Sequence, residues 1–306
     1  MDRHALPRTI MGYVVRSSGR HQVALAVLSA AVFGLSSVPL ELQRRVVNDA
    51  IKNGATETIM WLAIAYAGVA LLEQMLKMAL NVYRGWVSED AVRTLRKTLE
   101  DVEGAEHCER DATGTHTAMA VAEAEPIGGF VGMAISEPLL QAGILVSVIG
   151  YMVWLEPWTL PLSLAFLLPQ ALFVPPLQQA INRRAASRIK TLRRVSGDIV
   201  ETGMPDDRRI ERVFSLNMGI YKLKYGMNLG MNLMYAFAVA AALGVGGWFA
   251  ATGRIDVGTV VAVVSGLGKL KDPWSDLVNW ARELSVDSVK YRLFVDAVGR
   301  RGLATA

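Results

Sequence analysis

The chain has 306 residues, 52% of them hydrophobic and 20% charged, with a formal net charge of +4. Soluble domains carry about 25% charged residues, and a mean hydropathy of +0.30 leans towards membrane without deciding it. One cysteine, Cys108, excludes an intrachain disulfide framework. The scattered His4, His21, His107 and His116 form no closed ligand set, so no metal is expected.

Residues 1–21 read as an amphipathic elbow. Leu6, Ile10, Tyr13 and Val14 oppose Arg8, Arg16 and Arg20 at helical spacing, the pattern of a short helix lying in the membrane interface. A signal peptide is the alternative, but the 21-residue lead is long for one and the run continues as helix. Six apolar blocks follow, near residues 22–42, 57–83, 130–153, 158–178, 229–251 and 257–279. Each approaches or exceeds the roughly 20 residues that cross a hydrocarbon core about 30 Å thick. Gly244, Gly246, Gly247 and the Ala240–Ala242 run suit close helix packing in lipid. A soluble helical bundle with buried core helices is the alternative reading.

Between the blocks, Lys and Arg gather at the amino terminus, in the second and fourth connections and in the tail. The three short connections hold only Lys52 and Arg254, with Arg44 and Arg45 near the end of the first block. The positive-inside rule then puts both termini and both long connections in the cytoplasm, with a bacterial plasma (inner) membrane as the expected location.

Helical periodicity outlasts the apolar blocks. Val92, Leu95, Leu99 and Val102 recur at three- and four-residue steps, so one helix from Thr58 to Glu103 would be about 68 Å long. Ile181, Ala185, Ile189, Leu192, Val195 and Ile199 extend the fourth block in the same way. After the sixth, Leu277, Trp280, Leu284, Tyr291, Phe294 and Val298 keep an a/d-like stripe that only Asp287 breaks. Turn-forming residues at Glu106–Gly114 and Thr202–Asp207 mark where these helices reverse. The expectation is a helical stalk about 30 Å long with two polar elbows at its tip.

Ionisable residues inside the blocks cost about 2.5–3.5 kcal/mol each at the bilayer centre, so each needs a partner or a cavity. Glu73 and Lys77 stand at i and i+4, the favourable order for a pair within one helix. Lys269 lies about 18 Å into the sixth block, near the midplane, and Lys271, Asp272 and Asp276 follow it. Two readings stay open. Either Glu73–Lys77 and Lys269–Asp272 neutralise themselves, or these residues line a pathway. Met227, Met231 and Met234 are packing residues or adaptable cargo contacts.

The ordered set of features resembles the transmembrane domain of the ABC exporter family, over about residues 8–298. The motifs are the elbow, a first span with Pro39 ending in Val46–Ile51, the Leu95–Arg96 pair in the extension of the second, and Gly114 where a first coupling helix closes. Asp198–Gly203, with Glu201, resembles the approach to a second coupling helix. Arg254–Val263 followed by Pro273 is similar to the start of the sixth span. The stretch after Gly114 and Trp274 depart from the family pattern.

The resemblance implies an all-α integral membrane fold: an elbow (1–21), a six-helix transmembrane domain (22–298) and a tail (299–306). It implies a subunit moving an unidentified substrate by alternating access, as a homodimer or heterodimer of half-transporters, without nucleic acid. No G-x-x-x-x-G-K-[ST] occurs, so no phosphate-cradling loop is present. ATP and Mg would bind a separately encoded ATPase, unless the chain is a fragment of a fused half-transporter, and this chain would carry no cofactor and no catalytic residue.

Coupling to that ATPase falls to Glu106, Glu109, Arg110, Asp111 and Gly114 at the first elbow, and to Glu201, Gly203, Asp206, Asp207 and Arg208 at the second. The candidate pathway residues are Glu73, Lys77, Lys269, Lys271 and Asp272. A proton-coupled permease using Glu73 or Asp272, and a non-transporting remnant or assembly partner, are the other readings.

Overall fold

The computed structural model describes residues 7–51, 56–103, 124–202, 204 and 206–304, and all regular structure among them is helical. In chain order the elements are α1 (Ile10–Leu35), α2 (Val38–Arg45), a π-helical turn (Val46–Ile51), α3 (Thr56–Glu103) and α4 (residues 124–133). They continue with α5 (Ser136–Leu155), α6 (Thr159–Thr202), α7 (Asp207–Ala251) and α8 (Val257–Ala304). At 44 to 48 residues each, α3, α6, α7 and α8 are about 66–72 Å long, more than twice a hydrocarbon core. The long helices expected from periodicity are present as unbroken elements. α3 begins within two residues of its expected start and ends at Glu103.

Five stretches are long and apolar enough to cross a membrane: Ile10–Asp49, Thr56–Thr98, Ala124–Leu155, Thr159–Leu192 and Asp207–Ala251. The sixth expected span opens α8, where Lys269, Lys271 and Asp272 interrupt the apolar run after Gly268. All five expose large apolar residues, most of all α3. On α3, Trp61, Ile64, Leu71, Leu72, Met75, Met78 and Val82 are exposed, and almost none of the helix's most apolar window is buried. Such a stripe is an aggregation liability in water and an ordinary surface in lipid. The buried-core bundle is thereby disfavoured.

The chain divides into two compact units, Met1–Tyr151 with Lys269–Ala306, and Met152–Gly268. In the first, Thr9 caps α1 by accepting the Gly12 N–H at 3.2 Å. The expected elbow is present as a short helix at the start of α1, set off from the rest by a kink of non-helical backbone at Ser18 (φ −132°, ψ 20°). Its apolar face lies against protein. Ile10, Tyr13 and Val14 are buried, the Tyr13 ring sits 5.6 Å from that of Tyr291, and the Tyr291 hydroxyl donates to the Pro7 carbonyl at 2.8 Å. The stripe after the sixth block is a packing surface too, with Tyr291 and Phe294 fully buried. The exception, Asp287, is buried and accepts from Lys290 at 3.0 Å.

Two breaks and one close approach position the site. α1 stops at Leu35, and α2 restarts with Pro39 in its first turn, where a missing N–H costs nothing. Because Leu40 N–H donates to Ser37 O, the Ser36 carbonyl is left outside the ladder. A second break, at residues 134–135, separates α4 from α5. Gly128 and Gly132 bring α4 against α3: a methyl at Gly128 would meet Val92, and one at Gly132 would meet the Arg84 carbonyl and Ser88 Oγ. Ser88 Oγ donates to Gly129 O at 3.1 Å across the same seam. This is the small-xxx-small spacing that lets helix backbones approach.

In the second unit, α6 and α7 form an antiparallel hairpin whose paired residues step away from the turn: Asp198 with Arg209, Arg184 with Gly219, Trp158 with Phe249. Phe166, Val174, Ala238 and Ala242 fill its seam. Pro169, Pro175 and Pro176 lie within α6, which remains helical through them.

Candidate functional site

Within the first unit α3, α4, α5 and α8 enclose a cavity of about 480 Å³, reached also by Ser36 from the end of α1. Its walls carry Glu73, Lys77, Asn81 and Arg84 from α3, Glu137 and Gln141 from α5, and Lys269, Asp272 and Asp276 from α8. Leu80, Met133, Leu140, Ile144 and Pro273 are the apolar remainder of the lining.

Helical spacing explains the alignment. Residues 73, 77, 80/81 and 84 fall on one face of α3, and 269, 272/273 and 276 on one face of α8. Glu73 is nearly buried. Its Oε1 accepts from Lys77 Nζ at 2.7 Å, and Oε2 lies 3.8 Å from Lys269 Nζ. Lys269 donates to the orphan Ser36 carbonyl at 2.7 Å, so the break after α1 supplies its nearest partner. Arg84, buried, donates from Nε to Ser136 Oγ at 2.8 Å and pairs through Nη1 with Glu137. Gln141 Nε2 then donates both to Glu137 Oε1 at 2.8 Å and to Asp276 Oδ2 at 3.1 Å. The network runs Arg84, Glu137, Gln141, Asp276 across α3, α5 and α8.

Of the pathway residues expected from sequence, Glu73, Lys77, Lys269 and Asp272 meet in this one cavity, whereas Lys271 does not line it. The expected Glu73–Lys77 pair forms. Lys269 turns to Ser36 and Glu73 and forms no ion pair with Asp272. Sequence reasoning missed Glu137, although an acidic residue inside the third apolar block is the kind of signal it used for Lys269. Arg84, which directly follows the second apolar block and so falls among the cations expected in the cytoplasm, is instead tied into the network. The apparent charge exceptions Arg44 and Arg45 are held by Glu41 at 2.8 and 2.7 Å, and Tyr151 donates to the same carboxylate at 2.7 Å.

At the second elbow, α6 ends at Thr202 with Glu201 in its last turn. Asp206 caps α7, its Oδ1 accepting the Arg208 N–H at 2.9 Å. Arg209 binds Asp198 through both carboxylate oxygens, at 2.6 and 2.7 Å. Asp206, Asp207 and Arg208 are exposed at this cap. Gly203 and the first-elbow residues Glu106, Glu109, Arg110, Asp111 and Gly114 lie outside the described residues. Among the described residues no group of His, Cys, Asp and Glu is arranged to hold a metal.

Fold and site together define an all-α protein, consistent with an integral membrane protein, that keeps a charged cavity among helices apolar enough to span a bilayer. No protein-family model matches the chain, and no curated protein matches it either.

Proposed function

We propose that the chain is the membrane-spanning subunit of an ABC-type transporter, a half-transporter that moves a polar solute by alternating access, driven by a separate ATPase. The observation that carries this reading is the cavity: seven ionisable side chains gathered around about 480 Å³ among helices whose outer faces are apolar. Such groups are costly in lipid, and the arrangement suits a solute path better than a purely structural core. Helices of 44 to 48 residues support it, since they outrun a bilayer and carry the exposed polar turn at Asp206–Arg208 well beyond one. In this reading that turn and the 106–114 segment receive the ATPase, and the long helices transmit its motion to the cavity.

A specific observation favours a second reading. Asp276 is held by an amide rather than a cation, and the Asp272 carboxylate makes no hydrogen bond or ion pair among the described residues. Carboxylates so placed are suited to proton coupling in an ATP-independent permease. Glu73, engaged with two lysines, is suited less well. Flux in inverted native-membrane vesicles separates the two. The first reading expects transport that requires ATP and survives collapse of the proton gradient. Transport driven by a pH step without ATP, and abolished by Asp272→Asn, would establish the second.

A further inference from the structure

The pairing of charges within the cavity is uneven. Glu73 is one carboxylate facing two ammonium groups, Lys77 at 2.7 Å and Lys269 at 3.8 Å, which leaves one positive charge in excess at that end. Arg84 and Glu137 compensate each other. Asp272 and Asp276 face no cation within ion-pair distance among the described residues, which leaves the other end negative.

A second, independent observation points to a ligand. Arg84 is more than nine-tenths buried and lines the cavity, yet its Nη2 has no hydrogen-bond partner among the described residues. A buried guanidinium N–H without an acceptor is costly, and an acceptor atom on a bound molecule would satisfy it.

From this juxtaposition we infer that the cavity binds a zwitterion: an anionic group at Lys77 and Lys269, an ammonium group at Asp272 and Asp276, and an acceptor oxygen between them within reach of Arg84. Lys269 lies three and seven residues before the two aspartates on α8, so the charged ends stand about 4.5–10.5 Å apart along the helix. An extended dipeptide, with two residues at up to about 3.6 Å each, fits that interval. The zwitterionic head group of an aminophospholipid offers the same chemistry from a second source. The cavity volume suits a ligand of either size. The inference rests on the reading of this cavity as the cargo path, but binding is measured without flux.

The test is equilibrium binding of radiolabelled alanyl-alanine to the full chain in phosphatidylglycerol nanodiscs. Saturable binding is expected, at least tenfold weaker for N-acetyl-alanyl-alanine and for alanyl-alanine amide, each of which lacks one charge. Lys269→Met and Asp272→Asn/Asp276→Asn, checked for unchanged helicity and monodispersity, are each expected to weaken the unblocked probe at least tenfold. Displacement by phosphatidylethanolamine doped into the discs assigns the site to a lipid head group, and absence of displacement assigns it to a soluble zwitterion.

Binding of the blocked probes as tight as that of the parent would overturn the inference on the unmodified protein alone, as would no saturable binding of either the dipeptide or phosphatidylethanolamine. Zwitterion binding without ATP-driven flux would sink the transporter reading and leave this inference standing. Flux of other solutes with no zwitterion binding would do the reverse.

Discussion

Glu73 is the residue on which the charged cavity turns, because a single carboxylate sits between Lys77 and Lys269. Glu73→Gln leaves two partly buried ammonium groups facing each other and is expected to cost about 1–3 kcal/mol in thermal unfolding in detergent. Lys269→Met removes one of them. The double variant should therefore be less damaging than the sum, with a coupling of about 0.5–3 kcal/mol; strict additivity would mean that the two do not interact.

Lower on α8, Glu283 has its carboxyl pushed above the usual range, chiefly by burial and further by the Asp287 carboxylate, against the opposing pull of Arg282. A raised folded-state pKa gives stability that is full below the ordinary glutamate range and lost as pH rises through the raised value. The melting midpoint should fall over that interval, and Glu283→Gln should flatten the fall. The Glu73–Lys77 contact was legible because i, i+4 spacing is a property of one helix. The Lys269–Ser36 bond was not, because its acceptor exists only where α1 breaks and two distant segments meet.

At the level of elements, the α3–α4 seam sets how closely Arg84 approaches α5. Gly132→Ala puts a methyl into the Arg84 carbonyl and Ser88 Oγ, and overpacking of this kind costs about 1–3 kcal/mol. Gly129→Ala meets nothing within 4 Å and should be neutral or slightly stabilising, by up to about 1 kcal/mol, as for a helical glycine with free space at its Cβ. Paired melting curves of the two variants check this, and equal effects would mean that the seam does not form as described. Helix lengths were readable from periodicity, which is local and cumulative. The break at residues 134–135 was not, because neither Ala134 nor Ile135 is a turn former. The break before α2 had a visible signal in Pro39, which the reading of one continuous span from 22 to 42 passed over. The elbow's stripe was correctly apolar on one face, but periodicity cannot say whether such a face meets lipid or, as here, Tyr291.

Across the whole molecule, long apolar helices expose many large side chains while one cavity gathers seven ionisable groups, and at 44 to 48 residues the long helices exceed the thickness of a hydrocarbon core. In the proposed reading those features would give an external motor both a path to act on and rigid elements to act through. The most direct measurement is affinity purification of the tagged full chain from its native membranes in mild detergent, followed by assay of the eluate for ATP hydrolysis and for a co-eluting nucleotide-binding protein. A stoichiometric ATPase is expected, with its recovery reduced at least tenfold by an Asp206→Ala/Asp207→Ala/Arg208→Ala variant that still folds. Recovery of the chain free of any ATPase, in a preparation that nonetheless moves solute under a proton gradient alone, would contradict the proposal.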